Sequence, residues 1–336
     1  MKDLIQRLVE SFGPSGYETA VTDTIRELVA PHADDISIDA LGNLLVWKKG
    51  SSDRTIMFSA HTDEIGVVVT HVDENGFLRF SNVGGLDSQT LVGNRVRFAS
   101  GTIGVIGREK GSLKDLSIEK MFLDIGAPTR DEAQKQVRVG DFGIIHREFV
   151  DLGQRMAAKS MDDRIGCVVL IETLKRIGSR SAHNVCFVFS SQEEVGLRGA
   201  RTAAFAVNPD LGIAVDVTRT GDTPEAARMD VSLGKGAAIK IKDSSLVAHP
   251  KVRSLMTNLA EHHGIKHQFE VLERGGTDAG VIHITHEGVP SGTISIPCRY
   301  VHSASEMVDI GDVEACIQLA EAICQAELTE FPAKSK

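Results

Sequence analysis

Acidic residues and histidines follow predicted buried strands, or begin a helix, at five separate places in this chain. These places hold His61 with Asp63, Asp162 with Asp163, Glu193 with Glu194, Asp216, and His302. Ligands bind at the carboxyl ends of the strands in an open α/β sheet, so polar residues at those ends converge on one crevice. Two imidazoles and several carboxylates in one crevice are groups that bind divalent metals. The arrangement therefore predicts an α/β fold around a metal site.

Size and charge restrict the class of protein. The chain has 336 residues, 42% hydrophobic and 25% charged, which is enough for a full core and for two domains. A formal charge of -9 and the lack of a basic run argue against binding nucleic acid or anionic membranes, because both need a concentrated basic face. No stretch is long enough to span a membrane. We therefore expect a globular protein without nucleic-acid or membrane partners.

The five cysteines indicate a reducing compartment. Their number is odd, CxxC spacing is absent, and Cys167 and Cys186 lie inside apolar segments. This pattern is typical of buried reduced side chains and not of a disulfide framework. None of the five lies beside the acidic and histidine segments, which disfavours a thiolate zinc site or a cysteine nucleophile. The sequence therefore predicts a cytoplasmic protein.

The predicted elements divide the chain into two domains. Helical periodicity and an apolar strand that ends directly on His61 begin an α/β domain. Residues from about 67 to 150 instead carry short apolar runs between turn signals such as DENG and ASG, which predicts a mostly antiparallel β domain. The α/β pattern then resumes. We predict a catalytic domain over residues 1–66 and 152–336 and an inserted β-rich domain over residues 67–151.

Three of the five segments have simple structural explanations when each is taken alone. Adjacent Asp162 and Asp163 open a predicted helix, where carboxylates cap the N-terminus and interact favourably with the helix dipole. Asp216, at the end of the apolar strand GIAVD, could cap a loop. His302 could be a satisfied surface histidine. These alternatives stay open from spacing alone.

The other two segments point more clearly to chemistry. His61 and Asp63 form an HxD pattern, which arises often by chance and in isolation is more often a surface pair than a site. Here His61 follows an apolar strand, and Asp63, two residues on, can point the same way and orient the imidazole. Burial of the adjacent Glu193 and Glu194 would be costly without a cationic partner, which a metal supplies. Both segments follow predicted strands.

The complete set of residues is sufficient for two metals. Two histidines, one shared aspartate and two further acids give each metal three ligands and an open position. Catalytic zinc sites keep such an opening for water, and paired metals about 3.5 to 4 Å apart can share that water as the nucleophile. One carboxylate of the glutamate pair then stays unligated and can act as general base.

Eight segments spread over nearly the whole chain are FGPSGYE, SAHTDEIG, KSMDDRIG, SQEEVGLRGA, AVDVT, LGKGAAIKIKD, GGTDAG and IPCRYVHSASE. In this order they resemble the M42 family of metallo-aminopeptidases, the tetrahedral aminopeptidases related to glutamyl aminopeptidase and formerly labelled cellulase M. The resemblance implies an α/β fold with a phosphorylase/hydrolase-like mixed sheet flanked by helices, of the di-zinc peptidase type. It also implies an inserted small β-barrel domain.

The resemblance implies a role for each candidate residue. The implied metal ligands are His61 and Asp216 at one ion, Glu194 and His302 at the other, and Asp162 bridging both. Glu193 would be the general base and Asp63 would orient His61. The peptide bond between Asp162 and Asp163 is expected to be cis. Asp278, in GGTDAG, is a candidate for lining the substrate pocket or a subunit contact.

The activity implied is a di-metal aminopeptidase that hydrolyses amino-terminal residues from short peptides. Zinc or cobalt is the expected metal, with two ions per subunit, although the same ligands also accept manganese. The inserted domain would mediate dimerisation, and dimers would assemble into a tetrahedral dodecamer. The segment VTRTGDTPEAARMD is less typical of the family, which leaves the preferred side chain open.

Three other functions are compatible with parts of the pattern. A di-metal amidohydrolase or deacylase acting on N-acylated amino acids or peptides would use the same site and is the nearest alternative. A glycoside hydrolase is disfavoured because its paired carboxylates need no histidine ligands. A silent scaffold that keeps metals only for assembly is disfavoured because it has no need of the unligated Glu193.

Overall fold

The computed structural model describes residues 1–178 and 181–331. The helices are α1 Lys2–Val9, α2 Thr19–Val29, α3 Ser88–Leu91, α4 Arg130–Gln134, α5 Met161–Ile177, α6 Arg198–Val207, α7 Pro250–His262, α8 Ala279–Ile282 and α9 Ile310–Gln325. The first strands are β1 Asp35–Ile38, β2 Leu44–Lys48, β3 Thr55–His61, β4 Gly66–Val72, β5 Leu78–Val83, β6 Arg95–Phe98, β7 Ile103–Arg108, β8 Met121–Asp124 and β9 Phe142–His146. The later strands are β10 Val150–Leu152, β11 Arg155–Ala158, β12 Asn184–Ser190, β13 Leu211–Thr218, β14 Ala237–Lys242, β15 His267–Val271, β16 Ser291–Arg299 and β17 Glu306–Asp309.

A large mixed sheet forms the body of the protein. Its strand order is β1-β2-β12-β3-β13-β16-β17-β11-β10, and β14 pairs with β16 and β15. The central strands β12, β3, β13 and β16 are parallel to one another, whereas β2 and β17 pair with them in antiparallel fashion. The carboxyl ends of the four parallel strands therefore meet at one edge, where α/β sheets bind their ligands.

Helices cover both faces of this sheet. Successive side chains of a strand point to opposite faces, and β3 shows this clearly. Ile56 and Phe58 belong to a core shared with α5 and α9, while Met57 belongs to a second core shared with α6 and α8. A strand buried on both faces is expected to read as a continuous apolar run. The predicted α/β fold with a flanked mixed sheet is confirmed.

The six strands β4, β5, β8, β7, β6 and β9 close into a barrel with its own hydrophobic core. The barrel runs from Gly66 to His146 in sequence and lies between two parts of the large sheet. This confirms the predicted inserted β-barrel. The domain boundaries at residues 66/67 and 151/152, and the role of the barrel in dimerisation, stay predictions.

A buried arginine attaches the N-terminal segment to the sheet. Arg164 is fully buried, and its guanidinium donates to the backbone oxygens of Leu8 (2.7 Å), Thr62 (2.7 Å) and Gly13 (3.3 Å). It also lies 3.2 Å from the Glu64 carboxylate, which offsets the cost of burying the charge. These contacts hold the loop after α1 beside the residues that follow β3.

One predicted strand end was wrong. β13 does not end on Asp216 but continues to Thr218, because Val217 and Thr218 remain paired with Ile296 and Pro297 of β16. Asp216 therefore projects from within the strand. Within residues 1–178 and 181–331, no helix is both long enough and apolar enough to cross a membrane.

Candidate metal centre

Three buried side chains from different elements form a first group of potential metal ligands. They are His61 at the end of β3, Asp162 in the first turn of α5, and Asp216 in β13. His61 Nε2 lies 3.0 Å from Asp162 Oδ1 and 4.0 Å from Asp216 Oδ1. The parallel strands β3 and β13 are direct neighbours in the sheet, which is why residues 155 positions apart meet here.

A second group shares Asp162 with the first. It adds Glu194, which follows β12, and His302, in the turn between β16 and β17. His302 Nε2 lies 3.2 Å from Asp162 Oδ2 and 3.4 Å from Glu194 Oε1. One oxygen of Asp162 therefore points to each group, a geometry suited to a bridging carboxylate.

Asp63 connects the two ligand segments through its carboxylate. Its Oδ1 accepts the backbone N–H of Glu193 (2.9 Å), and its Oδ2 accepts that of Glu194 (3.1 Å). The same Oδ1 lies 3.3 Å from His61 Nδ1. His61 Nδ1 lies slightly closer, at 3.1 Å, to the backbone oxygen of Asp63. When Nδ1 donates a hydrogen bond to Asp63, Nε2 of His61 is left to act as a ligand. Asp63 thus positions both strand ends, not only the imidazole.

Glu193 lies at the edge of the first group without belonging to it. Its Oε2 is 3.9 Å from His61 Nε2, and its side chain is 12% exposed. Neither three-residue group includes it. A carboxylate in this position can accept a proton from a molecule bound at the groups.

The adjacent acids Asp162 and Asp163 do different things. The side chain of Asp163 turns away from the groups: its Oδ1 accepts the backbone N–H of Gly166 (3.1 Å) and its Oδ2 that of His61 (3.1 Å). Asp163 therefore caps the helix, while Asp162 joins both groups. The peptide bond between them is cis, as the resemblance implied. Both residues have non-helical backbone angles, so regular helix begins at Arg164.

Sequence reasoning missed two residues of the N-terminal loop that support the centre. Ser15 Oγ donates to Asp63 Oδ2 at 2.6 Å. Glu18 is buried, and its Oε1 accepts the backbone N–H of Gly16 (2.7 Å) and of Gln192 (3.1 Å). The motif FGPSGYE contained both residues, but nothing in its spacing linked it to Glu193 and Glu194.

The electrostatics of the centre fit bound divalent cations. Burial raises the pKa of Glu193 and of Asp216 well above the usual carboxyl range, and neighbouring carboxylates raise it further. Burial lowers the pKa of His302, but Asp162 and Glu194 outweigh that effect and raise it to about 12. Oε1 of Glu194 is buried, and no residue that the structure describes donates a hydrogen bond to it. The negative charge of the crowded carboxylates is not balanced by nearby positive charge in the described part of the chain. A divalent metal would balance it and would bind both the carboxylate oxygens and the imidazole nitrogens.

Asp278 lies beneath the centre. It is 2% exposed, and its Oδ2 accepts hydrogen bonds of 2.6 Å from Ser59 and from Ser190, on β3 and β12. Its Oδ1 is also buried and has no hydrogen-bond partner within residues 1–178 and 181–331. The contacts attach Asp278 to β3, which ends on His61, and to β12, which precedes Glu193. Its predicted role in a substrate pocket stays a prediction.

A pocket of about 1180 Å³ opens beside His302. One wall is the atypical segment, which contributes Arg219, Arg228 and other residues between them, and Arg274 lies on another wall. A two-bond ion pair anchors the segment, since Arg299 donates to both carboxylate oxygens of Asp222 at 2.9 and 2.8 Å. The pocket therefore has a fixed wall next to a candidate ligand.

Comparison with known proteins gives a consistent result. The sequence matches the family model described as M42 glutamyl aminopeptidase over residues 42–319. The lysyl aminopeptidase of Pyrococcus furiosus is 35% identical, covering 96% of this chain and 96% of its own. The solved structure of aminopeptidase APDkam598 from Desulfurococcus kamchatkensis is 39% identical with a TM-score of 0.93, covering 97% of this chain and 94% of that one. The TET1 peptidase of Pyrococcus horikoshii, described as able to assemble into a tetrahedron or a large octahedral shell, is 32% identical with a TM-score of 0.87, covering 96% and 98%.

Proposed function

The chain belongs to the M42 family of aminopeptidases, and from this premise we propose that it removes amino-terminal residues from short peptides with two divalent metal ions. Family membership confirms the predicted family, fold class and enzyme class. Peptidases of this family are metal-dependent. The observation that carries the proposal is the pair of three-residue groups that share Asp162, with Glu193 beside them and in neither.

The proposed ligands divide between two ions. His61 and Asp216 would hold one, Glu194 and His302 the other, and Asp162 both. When bound, divalent ions supply the positive charge that favours ionisation of water and polarises a carbonyl group. Zinc or cobalt is the proposed metal because both accept mixed imidazole and carboxylate ligands.

Glu193 is the proposed general base. It accepts a proton from the attacking water and then donates a proton to the nitrogen of the departing peptide. Asp63 holds the backbone N–H of Glu193 at 2.9 Å and so fixes where its side chain begins. Since both carboxylate oxygens of Glu193 are outside the two ligand groups, the side chain is free to carry the proton.

We expect the enzyme to require a free α-amino group. The pocket beside His302 would receive the amino-terminal residue of the peptide. An acetyl group converts the α-amino group of that residue into an uncharged amide, which an aminopeptidase does not recognise as a free amino terminus. Metal-stripped protein with zinc, cobalt or manganese restored should hydrolyse free aminoacyl reporters and cleave their acetylated counterparts poorly. The measurement is kcat/KM for matched free and acetylated reporters over several side chains.

The same panel separates the alternatives. Equal or faster cleavage of the acetylated reporters would replace the aminopeptidase by an amidohydrolase. If no reporter were hydrolysed with any of the metals, a scaffold without catalytic activity would be favoured. Activity on free-amine reporters alone would support the proposal and reveal the preferred side chain.

We also propose that the chain forms dimers through its barrel and that the dimers assemble into a dodecamer. The barrel region exposes apolar side chains at Val92, Ile103, Val105 and Val139, which lose contact with water if a second subunit covers them. Ile103 and Val105 lie two residues apart on β7 and so share one face of that strand. A dodecamer would shelter the active sites from large substrates.

Sedimentation is expected to show a species of about twelve times the 36.2 kDa chain mass. The double substitution Ile103→Asp and Val105→Asp should shift the protein to smaller species, because buried charges without partners oppose association. Only monomer in the unsubstituted protein would contradict the assembly. A dodecamer unaffected by the double substitution would place the dimer contact elsewhere.

The proposed site of action is the cytoplasm. All five cysteines are buried and unpaired, as expected for a protein kept in a reducing compartment. Burial also raises the pKa of Cys167 and Cys186 well above the usual thiol range, so neither thiol ionises near neutral pH. This supports their interpretation as structural residues.

A further inference from the structure

Glu306 binds the backbones of two proposed ligands with one carboxylate. Its Oε1 accepts the N–H of His302 at 2.7 Å, and its Oε2 accepts the N–H of Asp162 at 3.0 Å. The residue is 1% exposed and belongs to neither ligand group. Burial of a carboxylate is costly unless its oxygens are hydrogen-bonded, and here each oxygen has a backbone donor.

The position of Glu306 in the sheet explains how it reaches both segments. It is the first residue of β17, directly after the turn that carries His302. In the neighbouring antiparallel strand β11 it lies opposite Ala158, just before the segment that leads to Asp162. One side chain at this point therefore connects the two segments that meet at the second ligand group.

His302 needs such a contact because its backbone is in an unfavourable conformation. Its φ is 66°, in the left-handed region that residues with a side chain rarely adopt. Its ring is 27% exposed, so packing on all sides does not hold it. On one side the ring lies against Gly85, where an added Cβ would be 2.7 Å from Nδ1. The hydrogen bond from the His302 N–H to Glu306 stabilises the backbone that aims this ring.

We propose that Glu306 is a positioning residue that keeps Asp162 and His302 in the arrangement required to bind a divalent cation at the second group. The inference rests on the proposed function, because it assumes that the group binds metal. Glu306 belongs to neither ligand group and would act through its hydrogen bonds to the backbone N–H groups of the two ligands. Loss of its contacts should lower affinity mainly at the second group, since only Asp162 is shared with the first.

The test compares two variants of Glu306, one with a shorter side chain and one with an uncharged side chain, with a matched control. Glu306→Asp keeps the charge but is too short to reach both N–H groups, and Glu306→Gln keeps the length but replaces one acceptor oxygen by an amide donor. The control is Asp312→Asn. Asp312 is also 1% exposed, and each of its oxygens accepts one backbone N–H, from Gly234 and Gly236, neither of which is a proposed ligand.

Calorimetric titration of each metal-stripped protein with zinc, and separately with cobalt, gives the number of ions bound and their affinities. Circular dichroism of the metal-free proteins checks that each variant is folded. Both Glu306 variants should bind one of the two ions about 10- to 100-fold more weakly, as is typical when a partner of a metal ligand is removed. Asp312→Asn should bind both ions as the unsubstituted protein does.

Two results would overturn the inference. One is unchanged affinity for both ions in folded Glu306→Asp and Glu306→Gln. The other is an equal loss in Asp312→Asn, which would show a general effect of removing buried carboxylates. Failure of the proposed function looks different, because then the unsubstituted protein itself would bind no metal.

Discussion

Replacement of Glu193 by glutamine is expected to lower kcat by about 10²- to 10⁴-fold, the usual contribution of a general base, while the metal content stays the same. Glutamine keeps the shape of the side chain but cannot accept the proton. Metal binding should survive because Glu193 lies outside both ligand groups, with its Oε2 3.9 Å from His61 Nε2. The measurements are kcat on a free-amine aminoacyl reporter and elemental analysis of the purified variant.

The control for this substitution is Glu287→Gln, which makes the same chemical change at an exposed position. Glu287→Gln should change neither kcat nor the metal content. Unimpaired hydrolysis by Glu193→Gln would refute its role as base. A loss of activity together with a loss of bound metal would instead make Glu193 a ligand, and one of the two proposed groups would then have to be redrawn.

The strands that deliver the proposed ligands were predictable because they are buried on both faces. The run TIMFSAH has no polar alternation, and the apolar strand predicted to end on His61 is observed as Thr55–His61. The end of β13 was less predictable. Its pairing with β16 continues for two residues past Asp216, and that pairing depends on a strand about 80 positions away that local pattern does not reveal.

Contacts between distant segments gave no signal in the sequence. Ser15 meets Asp63 across 48 positions, and Glu18 meets Gln192 across 174. Each contact is a single hydrogen bond between common residue types, so no spacing or periodicity indicates it. The left-handed backbone of His302 was equally hidden, because a residue other than glycine is not expected in that conformation.

The pair Asp162 and Asp163 shows why residue type alone left its role open. Helix capping and metal binding were both reasonable interpretations of two acids at a helix start. The structure assigns capping to Asp163, which accepts the N–H of Gly166, and brings Asp162 to the two histidines. The two roles differ because the Asp163 carboxylate reaches the backbone N–H groups of Gly166 and His61, whereas the Asp162 carboxylate reaches the two imidazoles, and these contacts depend on segments distant in sequence.

Substitution of the shared carboxylate should affect both metals, and substitution of an unshared one should affect a single metal. Asp162→Asn is expected to lower the affinity for both ions by more than about 100-fold, because removing even a hydrogen-bond partner of a metal ligand lowers metal affinity by about 10- to 100-fold. Asp216→Asn should lower the affinity for only one ion, and Glu194→Gln should lower the affinity for only the other. Calorimetric titration of the metal-stripped proteins measures this as a change in the number of ions bound at micromolar concentration.

The pattern across these three variants tests the sharing of Asp162 more sharply than activity does, because loss of either ion would abolish turnover. An exposed carboxylate, Asp230→Asn, is the control and should still bind two ions. If Asp162→Asn lost only one ion, its two oxygens would serve one group, despite lying 3.0 Å from His61 and 3.2 Å from His302. If Asp216→Asn and Glu194→Gln each lost both, the ions would bind cooperatively and the two groups would form one site.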